Sequence, residues 1–135
     1  MTDTGFTTLV GGTAVGELLR LTEPLSFWGG LDPETGRVID RNHPQLGLSV
    51  TDAILSMPHG RGSSSSSSVL AEALRLGTGP AGFVLASPDS ILVIGSLVAK
   101  HLYGRVCPIV CGELPEGSTG PWMIDHNHVA PLAGP

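Results

Sequence analysis

The hydrophobic period of this chain changes at Ser63, and that change limits the folds open to it. Before it, apolar residues come in short β-type runs that end with Asp52 to Met57 (DAILSM). After it, Val69, Leu70, Ala73 and Leu74 recur at i, i+1, i+4 and i+5, the stripe of an amphipathic helix. Between them lie Pro58, His59, Gly60, Arg61 and Gly62, then six consecutive serines, Ser63 to Ser68. A serine tract in open surroundings is a flexible linker. Here a strand precedes closely and a helix follows with no spacer, so the serines fill a strand-to-helix turn and the first helical turns. Serine suits that place, because its side-chain oxygen accepts an orphan backbone N–H at a helix start.

The remainder extends this unit. Thr8 to Val15 and Glu17 to Leu21 read as strands, followed by a turn-rich loop from Ser26 to Gly36 and a short strand, Arg37 to Asp40, closed before Pro44. Gly77 fits the end of the first helix, Ala81 to Ala86 a buried strand, Pro88-Asp89-Ser90 to Gly104 a second helix, and Val106 to Val110 a last core strand. Strands alternating with helices at this spacing predict an α/β fold with a partly parallel sheet. A length of 135 residues predicts one domain over 1–135, with its core over about 8–112. Residues 113–135 read as a turn-rich tail anchored by Trp122, Met123 and Ile124.

Composition narrows the partners. The net charge is −5 and the seven basic residues are scattered, which argues against nucleic acid. Only 14% of residues are charged, so part of the surface is expected to lie under another protein. The most apolar region, Leu76 to Ala99, is broken by glycines, prolines and Asp89, and holds no membrane span. Met1 to Phe6 lacks the basic start and apolar stretch of a signal peptide. The expectation is a cytoplasmic chain whose two cysteines, Cys107 and Cys111, are reduced thiols in the core or an interface.

A glycine-flanked helix start is an anion site, since free N–H groups and the positive end of the helix dipole face outward. The phosphate-binding P-loop is excluded, because Gly62 stands where its lysine should precede the Ser/Thr. The nucleophile elbow is excluded because no glycine follows the serines at its spacing. Ser63 could act as a base only with help. The helix field supplies ~0.3–1 kcal/mol, or ~2 when partly buried, which is too little to ionise a hydroxyl near neutral pH. Arg61 is the only cation near it in sequence. A serine base here therefore needs another protein or a metal to complete the site.

Three stretches, LSFWGGLDPETGRVIDRNHP, LSMPHGRGSSSSSSVLAEAL and PDSILVIGSLVAKHLYGRVCPIV, resemble the small swivelling domain of the aconitase X family in order and spacing. The resemblance spans about Gly11 to Val110 and implies the swivelling β/β/α fold. Members of that family are hydro-lyases built from a large catalytic part and this small part, on one chain or as two subunits. In the wider superfamily, the first serine of a Gly-Ser-Ser motif at a helix start removes the proton next to a carboxylate. Carried over, that base is Ser63, with Arg61, Gly62 and Ser64 at the substrate. Relatives that act on citrate follow the two serines with a carboxylate-gripping arginine; Ser65 stands there instead, so a different substrate is implied.

The resemblance further implies an iron–sulfur or iron centre, acting as a Lewis acid and held by the large subunit. Two cysteines cannot build a four-thiolate site by themselves. Two substrates are implied, cis-3-hydroxy-L-proline and mevalonate 5-phosphate. The six-to-one excess of arginine over lysine suggests a GC-rich bacterial source and favours the first. A non-catalytic anion-binding module is the competing class. Asp125, His126 and His128 have metal-ligand residue types but sit in the polar tail. His43 and His59 read as structural or interface residues, and Trp28 as core or as part of a surface that closes over substrate.

Overall fold

The computed structural model describes residues 5–132. The start of the polar opening stretch, residues 1–4, and the last three residues of the tail, 133–135, lie outside it. The elements are β1 (Thr7–Val10), β2 (Thr13–Arg20), a single irregular turn α1 (Phe27–Gly30), β3 (Leu31–Asp32), β4 (Arg37–Val38) and β5 (Ile54–Met57). They continue with α2 (Ser66–Leu76), β6 (Gly82–Leu85), α3 (Ser90–Tyr103), β7 (Ile109–Cys111), β8 (Pro121–Asp125) and β9 (His128–Pro131).

Seven strands form one sheet in the order β1-β7-β6-β5-β2-β8-β9, and β3 and β4 form a separate two-stranded ribbon. The middle four, β7, β6, β5 and β2, run parallel, while β1 and β8 join them antiparallel. The α/β fold expected from the sequence is therefore present. The elements β5, α2, β6, α3 and β7 make two successive βαβ units, so the helix starts after β5 and β6 share one edge of the sheet.

Alternation along the strands separates two cores. Leu55 and Met57 of β5, with Phe83 and Leu85 of β6, face the helices and meet Leu70, Leu74, Leu92 and Ala99. Ile54, Val84 and Val110 face the other way, and the curled sheet closes over them with Leu114, Trp122 and Ile124.

Several boundaries differ from the sequence reading. Gly16, expected as a break, lies within a continuous β2, and the interruption falls at Gly11 and Gly12. The strand expected over Arg37 to Asp40 is only the two residues of β4. The last core strand starts at Ile109, after Pro108. The tail is a correction of larger consequence. Residues 121–131 form a hairpin whose strand β8 pairs with β2 along Thr13 to Glu17. Trp122 and Ile124 alternate with solvent-facing neighbours, a two-residue period too short to stand out in a proline- and glycine-rich stretch.

Both helices end as expected, with Gly77 and Gly104 in left-handed conformation. The start of α3 is capped by Asp89, whose Oδ1 accepts from the N–H groups of Ile91 and Leu92 at 2.9 and 3.1 Å. Ser96, fully buried on α3, donates to the carbonyl of Cys107 at 2.6 Å and ties the helix to the approach of β7. Ser96→Ala leaves that buried carbonyl without its partner. It should lower unfolding free energy by ~1–3 kcal/mol, measured by chemical denaturation.

Candidate active site

The candidate site forms where β5 gives way to α2. After Met57 the chain is held on two sides: Gly60 bridges Leu25 in parallel fashion, and the Pro58 carbonyl accepts from the Ser87 N–H at 2.9 Å. A side chain at Gly60 would collide with the Asp89 carboxylate. Gly62 has φ +96°, and a β-carbon there would lie 2.5 Å from the Ser26 hydroxyl. Residues 60–62 thus need glycine on both sides of Arg61 because two neighbours press on the backbone.

Ser63 is half-buried and caps the turn that follows. Its Oγ accepts from the Ser65 N–H at 3.0 Å, and its carbonyl accepts from the Ser66 N–H at 2.9 Å. The next two bonds, Ser67 N–H to Ser64 and Ser68 N–H to Ser65, are likewise three residues apart, so the helix opens as a tight 3₁₀ turn. The N–H groups of Ser63 and Ser64 have no partner among the described residues. The Arg61 side chain is exposed and makes no ion pair or hydrogen bond among them. The predicted residues Arg61, Gly62, Ser63 and Ser64 therefore sit together on an open rim.

Two further serines belong to this neighbourhood and were not singled out by sequence. Ser66 is 3% exposed; its Oγ accepts from the Trp28 N–H at 2.9 Å and lies 3.4 Å from the Ser26 hydroxyl. Ser26 donates to the Trp28 carbonyl at 3.0 Å. In a run of six identical residues, only helical phase can show that the fourth turns inward, and the phase is set by Val69 and Leu70 downstream.

The crevice beneath the rim, between Arg61, Ser66, Asp89 and Ile91, has a volume of ≈10 Å³. That is about one water, whereas small-molecule sites enclose ~300–1,000 Å³. A wider groove of ≈500 Å³ along Arg20, Ser56, Ala86 and Glu113 includes none of residues 61–64.

The other candidates fall elsewhere. His43 is buried, with Nδ1 accepting from the Gln45 N–H at 3.1 Å and Nε2 3.1 Å from the Glu23 carbonyl, a clamp between two loops. His59 is exposed and folds back on the Gly60 carbonyl. Asp125, His126 and His128 are all exposed at the β8–β9 hairpin turn.

The residues present do not fit the iron centre that the family resemblance implies. Among the described residues no three His, Cys, Asp or Glu side chains gather as a metal site. Cys107 is wholly buried, and burial pushes its thiol up to about 12, which disfavours the thiolate a metal would need. Cys111, half-buried, makes its sulfur contact with the Ala86 carbonyl.

The fold is an α/β domain that carries a serine-lined helix start on an open rim, beside a crevice of about one water. A family profile described as the aconitase X swivel domain matches residues 4–122, and the chain belongs to that family. It is 49% identical over 117 residues to a cis-3-hydroxy-L-proline dehydratase of Pseudomonas aeruginosa, a match covering 85% of this chain and 20% of that enzyme. It is 41% identical over 88 residues to a phosphomevalonate dehydratase small subunit of Methanothermobacter thermautotrophicus, covering 65% of this chain and 67% of that subunit. The crystal structure of Thermococcus kodakaraensis aconitase X (holo-form) superposes with a TM-score of 0.83 at 30% identity, covering 94% of this chain and 95% of that one. The chain thus spans about a fifth of the length of the bacterial dehydratase it matches.

Iodoacetamide at pH 8 should modify Cys111 in the folded chain and spare Cys107, which lies well below its titration there. In denaturant both should react, and mass spectrometry of the digested protein distinguishes the two.

Proposed function

We propose that this chain is the small, swivelling part of an aconitase X hydro-lyase, active only with a large part, and that Ser63 is its base. The observation that carries the reading is the capped turn at Ser63. Its hydroxyl already accepts one backbone N–H, from Ser65, and two unpartnered N–H groups stand beside it. Such a turn favours negative charge on Ser63 Oγ, through the helix end and through charge-assisted hydrogen bonding.

The elimination removes the proton on the carbon next to the carboxylate and the hydroxyl on the neighbouring carbon. Ser63 Oγ takes the proton, the C–H electron pair becomes the new double bond, and the C–O bond breaks to release water in net terms. The N–H groups of Ser63 and Ser64, with Arg61 and the backbone at Gly62, suit the substrate carboxylate and the charge it gains. Departure of the hydroxyl needs an electrophile from outside this chain. On this reading the iron–sulfur or iron centre of the family would belong to the large part.

The substrate reading is cis-3-hydroxy-L-proline. It is supported by 49% identity over most of the chain to the Pseudomonas dehydratase. Mevalonate 5-phosphate is the second reading, favoured by one observation: the archaeal relative is a separate small subunit. A phosphate dianion would ask for more positive charge than the lone Arg61 that the rim offers. The anion-binding module reading is disfavoured by the dehydratase relatives at 49% and 41% identity. A cytoplasmic setting accompanies the proposal; no helix of the described residues is long and apolar enough to cross a membrane.

The test is co-purification with the large part and assay of the complex on both acids. Ser63→Ala should lower kcat by ~10²–10⁴-fold, the contribution of a positioned base. Loss of its cap costs the fold only about 1 kcal/mol. Turnover that survives in Ser63→Ala would remove Ser63 from this role. Arg61→Gln should raise KM ~10-fold or more while the complex remains assembled, as expected for a lost charge-assisted contact.

A further inference from the structure

We infer that Trp28 forms the wall of the Ser63 site that receives the cationic ring of the substrate, and that Ser26 and Ser66 hold it in place. The inference rests on the hydroxyproline reading above. Trp28 is 60% exposed, yet its backbone is among the most firmly held on the rim. On one side Phe27 is fully buried, its ring 5.9 Å from that of Phe83. On the other, the Trp28 N–H donates to Ser66, and the Trp28 carbonyl accepts from Ser26. With Ser66 donating across the 3.4 Å to Ser26, the four groups close into a ring in which each hydroxyl gives one hydrogen bond and takes one.

That ring abuts the candidate base. The Ser66 N–H donates to the Ser63 carbonyl, so the Trp28 backbone is fixed to the turn that carries Ser63. Gly62, the residue before the base, lies against Ser26. A scattered surface aromatic needs no explanation. A tryptophan whose main chain is clamped at both ends to the turn that carries Ser63 has its backbone position set before binding, so only its side-chain torsions remain to be ordered.

The chemistry of the acid says what that face would meet. cis-3-Hydroxy-L-proline carries a carboxylate and a secondary ammonium on one small ring. Arg61 and the free N–H groups answer the carboxylate. Asp89, the carboxylate that lines the crevice beside Arg61 and Ser66, is committed to the start of α3 and packs against the Gly60 backbone. An indole face is the best aromatic partner for a cation. The same face offers nothing to a phosphate dianion, so Trp28 would also sort one acid from the other.

The experiment uses the assembled enzyme and two competitive inhibitors. One is L-proline; the other is tetrahydrofuran-2-carboxylate, which replaces the ring ammonium with an ether oxygen. The native enzyme should prefer L-proline ~10-fold or more, Trp28→Phe should keep most of that preference, and Trp28→Leu should reduce it to within about twofold. Ser66→Ala should lose part of it with Trp28 still present. A Trp28→Leu enzyme with the native preference overturns the inference and leaves the hydroxyproline reading standing. A Trp28→Leu chain that no longer assembles makes Trp28 a docking residue and overturns it too. A native complex that turns over only mevalonate 5-phosphate, or neither acid, overturns the substrate reading and this inference together.

Discussion

The loop before α2 is packed too closely to carry a side chain at positions 60 and 62, and the site follows from that constraint. Gly60 lies against the Asp89 carboxylate and Gly62 against Ser26. The first contact exists because β5 and β6 are parallel neighbours, which brings the starts of α2 and α3 to one edge of the sheet, and the second because β2 also runs parallel to β5 and carries the chain after it to that edge. Asp89 can therefore cap its own helix and buttress the turn of the other. Three segments far apart in sequence, around residues 25–28, 60–66 and 89–92, become one rim.

What the rim lacks is as informative as what it holds. Its crevice admits about one water, and Arg61 is its unpaired cation. A helix end worth at most ~2 kcal/mol moves a pKa by about 1.5 units, far too little to make a serine hydroxyl basic near neutral pH. Under the proposed reaction, positive charge, enclosure and the electrophile for the departing hydroxyl would come from a second body. The swivel-domain family, and the match to only a fifth of the bacterial dehydratase, agree with a chain that supplies one face of a site.

The sequence by itself was enough for the βαβαβ passage. Its helices bury continuous stripes and end at Gly77 and Gly104, and its strands are short apolar runs, all of them local patterns. The turn from Gly60 to Ser64 was legible for the same reason, since caps and turns are decided within a few residues. The hairpin at 121–131 was not. Its strands gain stability only by pairing with β2, about a hundred residues away, and a two-residue alternation in a proline-rich stretch carries little weight without that partner.

Ser66, Ser26 and Trp28 show the same division at the site. Six serines in a row are chemically identical, so sequence marks Ser63 by its preceding glycine but cannot tell which serine turns inward. Tertiary structure decided it, because the packing of Leu70 and Leu74 fixes the phase of α2 and rotates Ser66 onto the Trp28 backbone. Local residue preferences therefore determined where a helix begins and which serine holds the turn before it. Long-range packing alone determined what that helix start faces.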